Sequence, residues 1–346
     1  MIKVGIIGAS GYAGGELIRY LTGHPEAKIA YLASDTYKGK HISSAFPSLT
    51  GQDLPVCESF NGDAADRADV FFLAQHNGWA MNIAPKLLDA GKKVIDISAD
   101  FRFRAPEVYE QWYKTEHKAK DETRSAVYGL SEFKKAAIAS ANLVGNPGCY
   151  PTGALTAVLP AVSAGLIDPA GIIIDSKSGV SGAGRTKTEI SYLFSELDES
   201  LKPYNVGVHR HTPEIEQEVS EVAGRAVKLN FTPHLVPMIR GILTTAYAPL
   251  VRDVTTSAAI HIYRELYTDS AFVTVLDEGE YPVTKYVSGS NYCHIGLKAD
   301  NRTGRLIMMS AIDNMGKGAA GQAVQNMNIM FGLPESTGLN RPAVYP

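Results

Sequence analysis

The chain has 346 residues, of which 45% are hydrophobic and 20% charged, with a formal net charge of -3. It is too long for one average domain and comfortable for two, with core enough to need neither disulfides nor metals. The balance shows neither the basic excess of a nucleic-acid binder nor an acidic tail, so an anionic ligand has to be met by local groups.

In chain order, Lys3 to Ile7 reads as a buried strand and Tyr12 to Thr22 as a helix; Lys28 to Ala33 and Val70 to Leu73 read as strands, Met81 to Ala90 as a helix, and Lys93 to Ile97 as a strand. This alternation predicts a doubly wound parallel sheet. After Cys149 strands predominate, at Ile172 to Ser176, Lys228 to Phe231, Gly241 to Ala248, Phe272 to Val275, Cys293 to Lys298 and Arg305 to Ala311. They predict a mixed, largely antiparallel sheet, with Asp300, Asn301 and Gly304 turning a hairpin between the last two. Ala320, Val324, Met327 and Phe331 recur at helical spacing, predicting an amphipathic helix over Gly316 to Phe331 that packs back on the first domain. The expected fold is α/β: a Rossmann-type doubly wound parallel sheet over 1–148, joined by a C-terminal helix over 314–346, plus an α+β domain over 149–313.

No apolar run reaches membrane-spanning length, and MIKVGIIGASGYAG lacks the regions of a signal peptide, so no membrane partner and a cytoplasmic location are expected. Cys57, Cys149 and Cys293 are odd in number and form no CxxC pair, which suits a reducing compartment and offers no zinc-type cluster.

Gly8, Gly11 and Gly14 lie between the first strand and first helix, where glycines permit a tight turn, close approach of a pyrophosphate and tight helix packing. Ser10 stands at the usual second glycine, and the helix N-terminal amides, at Tyr12 and Ala13, face the anion. At the end of the second strand, Asp35 suits the free 2′-hydroxyl of NAD, whereas Ser34, Thr36, Lys38 and Lys40 can donate to the 2′-phosphate of NADP. Two lysines against one aspartate favour NADP.

In GNPGCYPTG, Pro151 suits the first turn of a helix, which places Cys149 just outside its N-terminus, where the dipole stabilises a thiolate. Gly148 and Gly153 leave room for substrate, and Asn146 offers an amide to a developing oxyanion. The competing reading is a small buried thiol. His209 and His211 precede a second helix, with Thr212 as its cap and Pro213 in its first turn; either histidine suits a base, while a metal role lacks further ligands. Arg102 and Arg104 fall at the carboxyl end of a parallel strand, where a forked guanidinium suits phosphate. The Ser176 to Lys187 stretch is either a cofactor-lining loop or a flexible connection.

GIIGASGYAG, DISADFR, VYGLSE, GNPGCYPTG, SGVSGAGR, HRHTPEI and DNMGKGAAGQAVQN occur in this order over nearly the whole chain. With them the chain resembles the N-acetyl-γ-glutamyl-phosphate reductases, a family of arginine biosynthesis related to the aspartate-semialdehyde dehydrogenases. The resemblance implies NADPH, an acyl-phosphate substrate, a thioester on Cys149, His211 as general acid and base, and His209 beside it in substrate binding. It further implies Arg102 at the phosphate, Ser178, Ser181 and Gly182 along the cofactor, Asn314 near the nicotinamide amide, and a homodimer or homotetramer built on the second domain. Asp35 and Thr36 depart from the pattern, standing in a loop where an arginine or a more clearly phosphate-binding set is expected. The alternatives are the same chemistry on aspartyl phosphate or an N-blocked aminoadipyl phosphate, and a nucleotide-binding redox sensor in which Cys149 is oxidised.

Overall fold

The computed structural model describes residues 1–345. They divide into two compact units, one made of Met1–Gly148, Gly184–Thr186 and Ala319–Arg341, the other of Cys149–Ala183, Lys187–Gly318 and the residues from Pro342 on.

The first unit holds a sheet of strands β1 (Ile2–Ile7), β2 (Ala27–Ala33), β3 (Val70–Leu73), β4 (Lys93–Asp96), β5 (Val127–Tyr128) and β6 (Leu143–Gly145), in the order β2-β1-β3-β4-β6-β5. Every pairing is parallel. A parallel sheet needs cover on both faces, which is why β3 is the unbroken apolar run VFFL, buried at all its residues. The connecting helices are α1 (Tyr12–Leu21), α2 (Ala84–Asp89), α3 (Pro106–Tyr113), α4 (Lys120–Ser125) and α5 (Ser131–Ser140). Strand order reverses at β1, with β2 on one side and β3 on the other, so the loop after β1 opens at a topological switch point. The helix expected from Met81 to Ala90 is instead a tight turn at Ala80–Asn82 followed by α2, because Pro85 has no N–H and can enter only in a first turn.

The second unit contains α6 (Cys149–Ser163), β7 (Ile173–Ser178), α7 (Phe194–Leu197), β8 (Lys202–Pro203), α8 (Thr212–Ala223), β9 (Asn230–Leu235), β10 (Ile242–Pro249), α9 (Thr256–Leu266), β11 (Val273–Val275), β12 (Cys293–Asp300) and β13 (Arg305–Ile312). Its sheet runs β11-β12-β13-β10-β7-β9-β8. β12 and β13 form the expected antiparallel hairpin and β10 pairs antiparallel with β13 and β7, while β7 with β9 and β11 with β12 are parallel. Alternate residues of β10 are buried, and α6 packs across β10 and β13 beside α8 and α9. Gly153 lets α6 approach closely, and Ser310 Oγ donates to its carbonyl at 2.8 Å. Pro160 inside α6 deprives the Thr156 carbonyl of its helical donor, and the Tyr267 hydroxyl takes that place at 2.6 Å.

The last helix departs from expectation. A π-type turn, Gly316–Ala320, leads into α10 (Gly321–Met330), every residue of which is buried, so it is not amphipathic. Gly332, Pro334 and Gly338 follow, and the helix ends at Met330 rather than extending through 314–346. Its polar side chains are consumed in a seam on the VYGLSE segment. Gln322 Nε2 donates to the Gly129 carbonyl at 2.8 Å and to Ser131 Oγ at 2.6 Å, Asn326 Nδ2 donates to the same carbonyl at 2.9 Å, and Ser131 Oγ donates to Asn326 Oδ1 at 2.8 Å. Among the described residues, no helix is long and apolar enough to cross a membrane.

Candidate active site

The residues singled out in the sequence gather in two groups, one in each unit. In the first unit, Gly8 turns the chain after β1 with φ of 89°, a backbone state that suits glycine, and an added Cβ would strike the Ala74 carbonyl. A Cβ on Gly14 would strike the Gly8 carbonyl and lie 2.7 Å from Ala9 Cα, so α1 reaches the loop only with glycine there. The amides of Gly8 and Ala9 both donate to the Ala33 carbonyl at 3.0 Å, and that of Gly11 donates to the Gly8 carbonyl at 3.1 Å. Gly8 and Gly11 thus shape the loop, while Tyr12 and Ala13 head α1 at the positive end of its dipole. Ser34, at the end of β2, donates its hydroxyl to Ser10 Oγ at 2.8 Å, and Asp35, Thr36, Lys38 and Lys40 lie exposed on the following turn. A close-approach glycine loop, a helix N-terminus without acidic residues in its first turn and a hydroxyl pair at the second strand fit a dinucleotide.

Arg102 and Asn146 come together. Arg102 is buried, with Nε donating to the Asn146 carbonyl at 2.7 Å and an Nη to the Ile97 carbonyl at 2.8 Å. Asn146 is fully buried; its Nδ2 donates to the Ala319 carbonyl at 3.2 Å and its Oδ1 accepts from Asn326 Nδ2 at 3.1 Å. The Asn146 amide thereby holds the chain that leads into Cys149 against Ala319 and Asn326. DISADFR is likewise a structural knot. Asp96 accepts from the Ser98 amide and hydroxyl, both at 2.9 Å, and Asp100 accepts from the amides of Gly78 and Met81 and from the Tyr109 hydroxyl. Burial, and then the charge of Asp100, pushes the Asp96 carboxyl above the usual carboxylate range.

In the second unit Cys149 is itself the first residue of α6 rather than a residue outside it, at the positive end of a helix of 15 residues. None of the three cysteines forms a disulfide; Cys57 and Cys293 are fully buried, and Cys149 alone of the three has solvent access. Gly318, in the π-type turn, faces it: a Cβ there would stand 2.9 Å from Cys149 Cβ. The adjacent Tyr150 ring packs edge-on against His209 at 5.5 Å and His211 at 5.9 Å, and the two imidazoles lie 4.9 Å apart. Tyr204 donates to the Tyr150 hydroxyl at 3.0 Å, which donates to the His234 carbonyl at 3.2 Å. Burial raises both phenols, so they stay protonated. Thr212 opens α8 instead of capping it, and His211 takes the position before it.

The histidines differ. Burial, and then the charge of His211, pushes His209 down to about 3. Its Nδ1 accepts the His211 amide at 3.1 Å, which requires the unprotonated nitrogen. A neutral, buried His209 is poorly suited to shuttle protons near pH 7. Because the folded state resists protonating His209, its contribution to stability is complete above the unfolded value of 6.5 and is lost as pH falls toward about 3. On lowering the pH from 6.5 to 5, urea unfolding of the native protein should lose about 2 kcal/mol more than that of His209→Gln.

Ser178, Ser181, Gly182 and Asn314 also converge. The start of the stretch is anchored: the amides of Gly179, Val180 and Ser181 donate to the carbonyls of Gly241, Met238 and Ile239 at 2.9, 2.9 and 3.1 Å. Asn314 Nδ2 donates to Ser181 Oγ at 2.9 Å and its Oδ1 accepts the Gly241 amide at 2.8 Å, pinning the turn to β10. Tyr150, Tyr204 and Gly318 were missed in the sequence. Tyr150 and Gly318 had a local signal, in adjacency to the cysteine and in the paired glycines of GKG; Tyr204 had none. Among the described residues, no group of three or more His, Cys, Asp or Glu side chains could hold a metal ion.

Residues 3–141 match the family described as semialdehyde dehydrogenase, NAD binding domain, and residues 149–314 the one described as semialdehyde dehydrogenase, dimerisation domain. Among solved structures, aspartate semialdehyde dehydrogenase II of Vibrio cholerae aligns with a TM-score of 0.74 at 17% identity, covering 96% of this chain and 98% of that one. The enzyme of Candida albicans, solved with NADP, aligns with a TM-score of 0.68 at 17% identity, covering 97% and 99%. The fold and the two matched domains define a semialdehyde dehydrogenase, an enzyme of the phosphorylating aldehyde dehydrogenase type. Two curated proteins named N-acetyl-gamma-glutamyl-phosphate reductase, from Moorella thermoacetica and Desulfotalea psychrophila, are each 51% identical over 100% of both chains. The chain belongs to the N-acetyl-gamma-glutamyl-phosphate reductase family.

Proposed function

We propose that the protein reduces N-acetyl-γ-glutamyl phosphate to N-acetyl-glutamate 5-semialdehyde and inorganic phosphate with NADPH, in arginine biosynthesis. The observation that carries the mechanism is the single accessible cysteine at a helix N-terminus in the same unit as a histidine pair packed on its neighbour Tyr150. The Cys149 thiolate, favoured by the α6 dipole, attacks the acyl carbon; a C–S bond forms and the C–O bond to phosphate breaks, the phosphate leaving with the electron pair. NADPH, when bound, supplies the hydride that reduces the thioester carbonyl. His211 protonates the resulting thiohemiacetal oxygen and takes that proton back as the C–S bond breaks, releasing the aldehyde and the thiolate.

Tyr12, Ala13, Ser10, Ser34, Thr36 and Lys38 hold the adenosine and pyrophosphate end of NADPH, and Ser178, Ser181, Gly182 and Asn314 the nicotinamide end. His209, kept neutral, contributes a hydrogen bond to substrate. Arg102 and Asn146 are positioning residues for the segment entering Cys149. The protein works in the cytoplasm as a homodimer or homotetramer. In support of the assembly, the dimerisation-type unit exposes Ile190, Leu193, Phe194, Leu201, Val206 and Val208 to solvent.

The test runs the reaction in reverse. Purified protein with NADP, phosphate and N-acetyl-glutamate 5-semialdehyde should form NADPH. Aspartate semialdehyde and the aminoadipate homologue should be slower by about tenfold or more, the worth of a misplaced methylene or a missing polar contact. Faster turnover of either competitor would overturn the substrate assignment.

A further inference from the structure

The turn after β2 lacks the arginine that a 2′-phosphate usually meets, and the structure brings one there from a remote part of the chain. The segment Gly184–Thr186 belongs to the first unit, whereas the residues flanking it on both sides belong to the second. Arg185 donates from an Nη to the Ser10 carbonyl at 3.1 Å. Its guanidinium carbon stands 4.9 Å from the Phe46 ring centroid and 5.8 Å from that of Tyr37. Ser10 is bound through its hydroxyl to Ser34, and Tyr37 sits on the turn with Thr36 and Lys38. In doubly wound folds the adenosine ribose lies at this strand end, and selectivity for the phosphorylated cofactor comes from a nearby arginine.

We infer that Arg185 is the specificity-determining residue for NADPH over NADH, its guanidinium meeting the 2′-phosphate of the adenosine ribose. The inference rests on the reading of the protein as an NADPH enzyme. A guanidinium held by a carbonyl on one edge and by aromatic rings on its face keeps its fork oriented while other donors reach an anion. This arrangement supplies the missing cation without a basic residue in place of Asp35 or Thr36, and it assigns a use to the last residue of SGVSGAGR.

Equilibrium binding, read by nucleotide fluorescence and by competition with 2′,5′-ADP, tests this without turnover. Arg185→Ala should weaken NADPH and 2′,5′-ADP by about ten- to a hundredfold, the worth of one charge-assisted contact, and leave NADH within about twofold. Arg185→Lys, which keeps the charge but loses the fork, should fall between. Unchanged NADPH affinity in Arg185→Ala would overturn the assignment. An equal loss for NADPH and NADH would overturn it too, moving Arg185 to the adenine or pyrophosphate that both share. If the native protein showed no preference for NADPH over NADH, the cofactor reading would fail first and this inference with it.

Discussion

Cys149→Ser should lose turnover by on the order of a thousandfold or more while keeping its thermal stability. Serine preserves the size of the side chain at the start of α6, so the packing of Gly318 against it is undisturbed. What changes is the chemistry. A hydroxyl is far less ionised than a thiol near neutral pH, the dipole of α6 cannot close that gap, and an oxygen ester is harder to reduce than a thioester and expels its alcohol less readily. The assay is NADPH formation from N-acetyl-glutamate 5-semialdehyde and phosphate, with iodoacetamide labelling as its companion. Because Cys57 and Cys293 are fully buried and burial raises the Cys57 thiol, the native protein should take up one label per chain and Cys149→Ser none. Wild-type turnover in the variant would exclude a thioester on Cys149. A native protein that takes up label at Cys149 but shows no turnover would instead suit a redox thiol.

His211→Ala should lower kcat by about a hundred- to ten-thousandfold, the range for loss of a general acid and base, and should flatten the pH dependence of kcat. His209→Ala should act differently, raising KM and lowering stability with a smaller effect on kcat. The asymmetry follows from burial: His209 is packed among Tyr150, Tyr204, Phe231 and His211 and held neutral, so its protonation state cannot follow the reaction. A larger kcat loss in His209→Ala than in His211→Ala would exchange the two roles.

Much of the architecture was legible in local pattern. VFFL announces a strand covered on both faces, GASGYAG a turn that only glycines fit, and KADNRTGRL a hairpin, because each rests on contacts within a few residues. The candidate nucleophile was legible in the same way, from the helix-start proline two residues beyond Cys149. Other motifs were visible without their partners. VYGLSE and GQAVQN gave no hint that they bind each other, since a buried amide seam looks in sequence like an ordinary polar helix face. DISADFR shows an arginine at a strand end but not that Asp96, Asp100 and Arg102 also bind the backbone around them.

The periodicity of apolar residues, the positions of glycine and proline and the order of the motifs were enough to specify two sheets of different kind, a nucleotide loop and a thiol at a helix start. Those features depend on backbone sterics and on which face of an element is apolar, and both are properties of short segments. That His209 is held neutral, that Asn146 faces inward, that Gly318 backs Cys149 and that Arg185 stands beside Ser10 were decided only by tertiary structure. Burial and hydrogen-bond partners come from residues far apart in the chain, 175 positions for Arg185 and Ser10 and 197 for Gly129 and Asn326, and no local pattern encodes them.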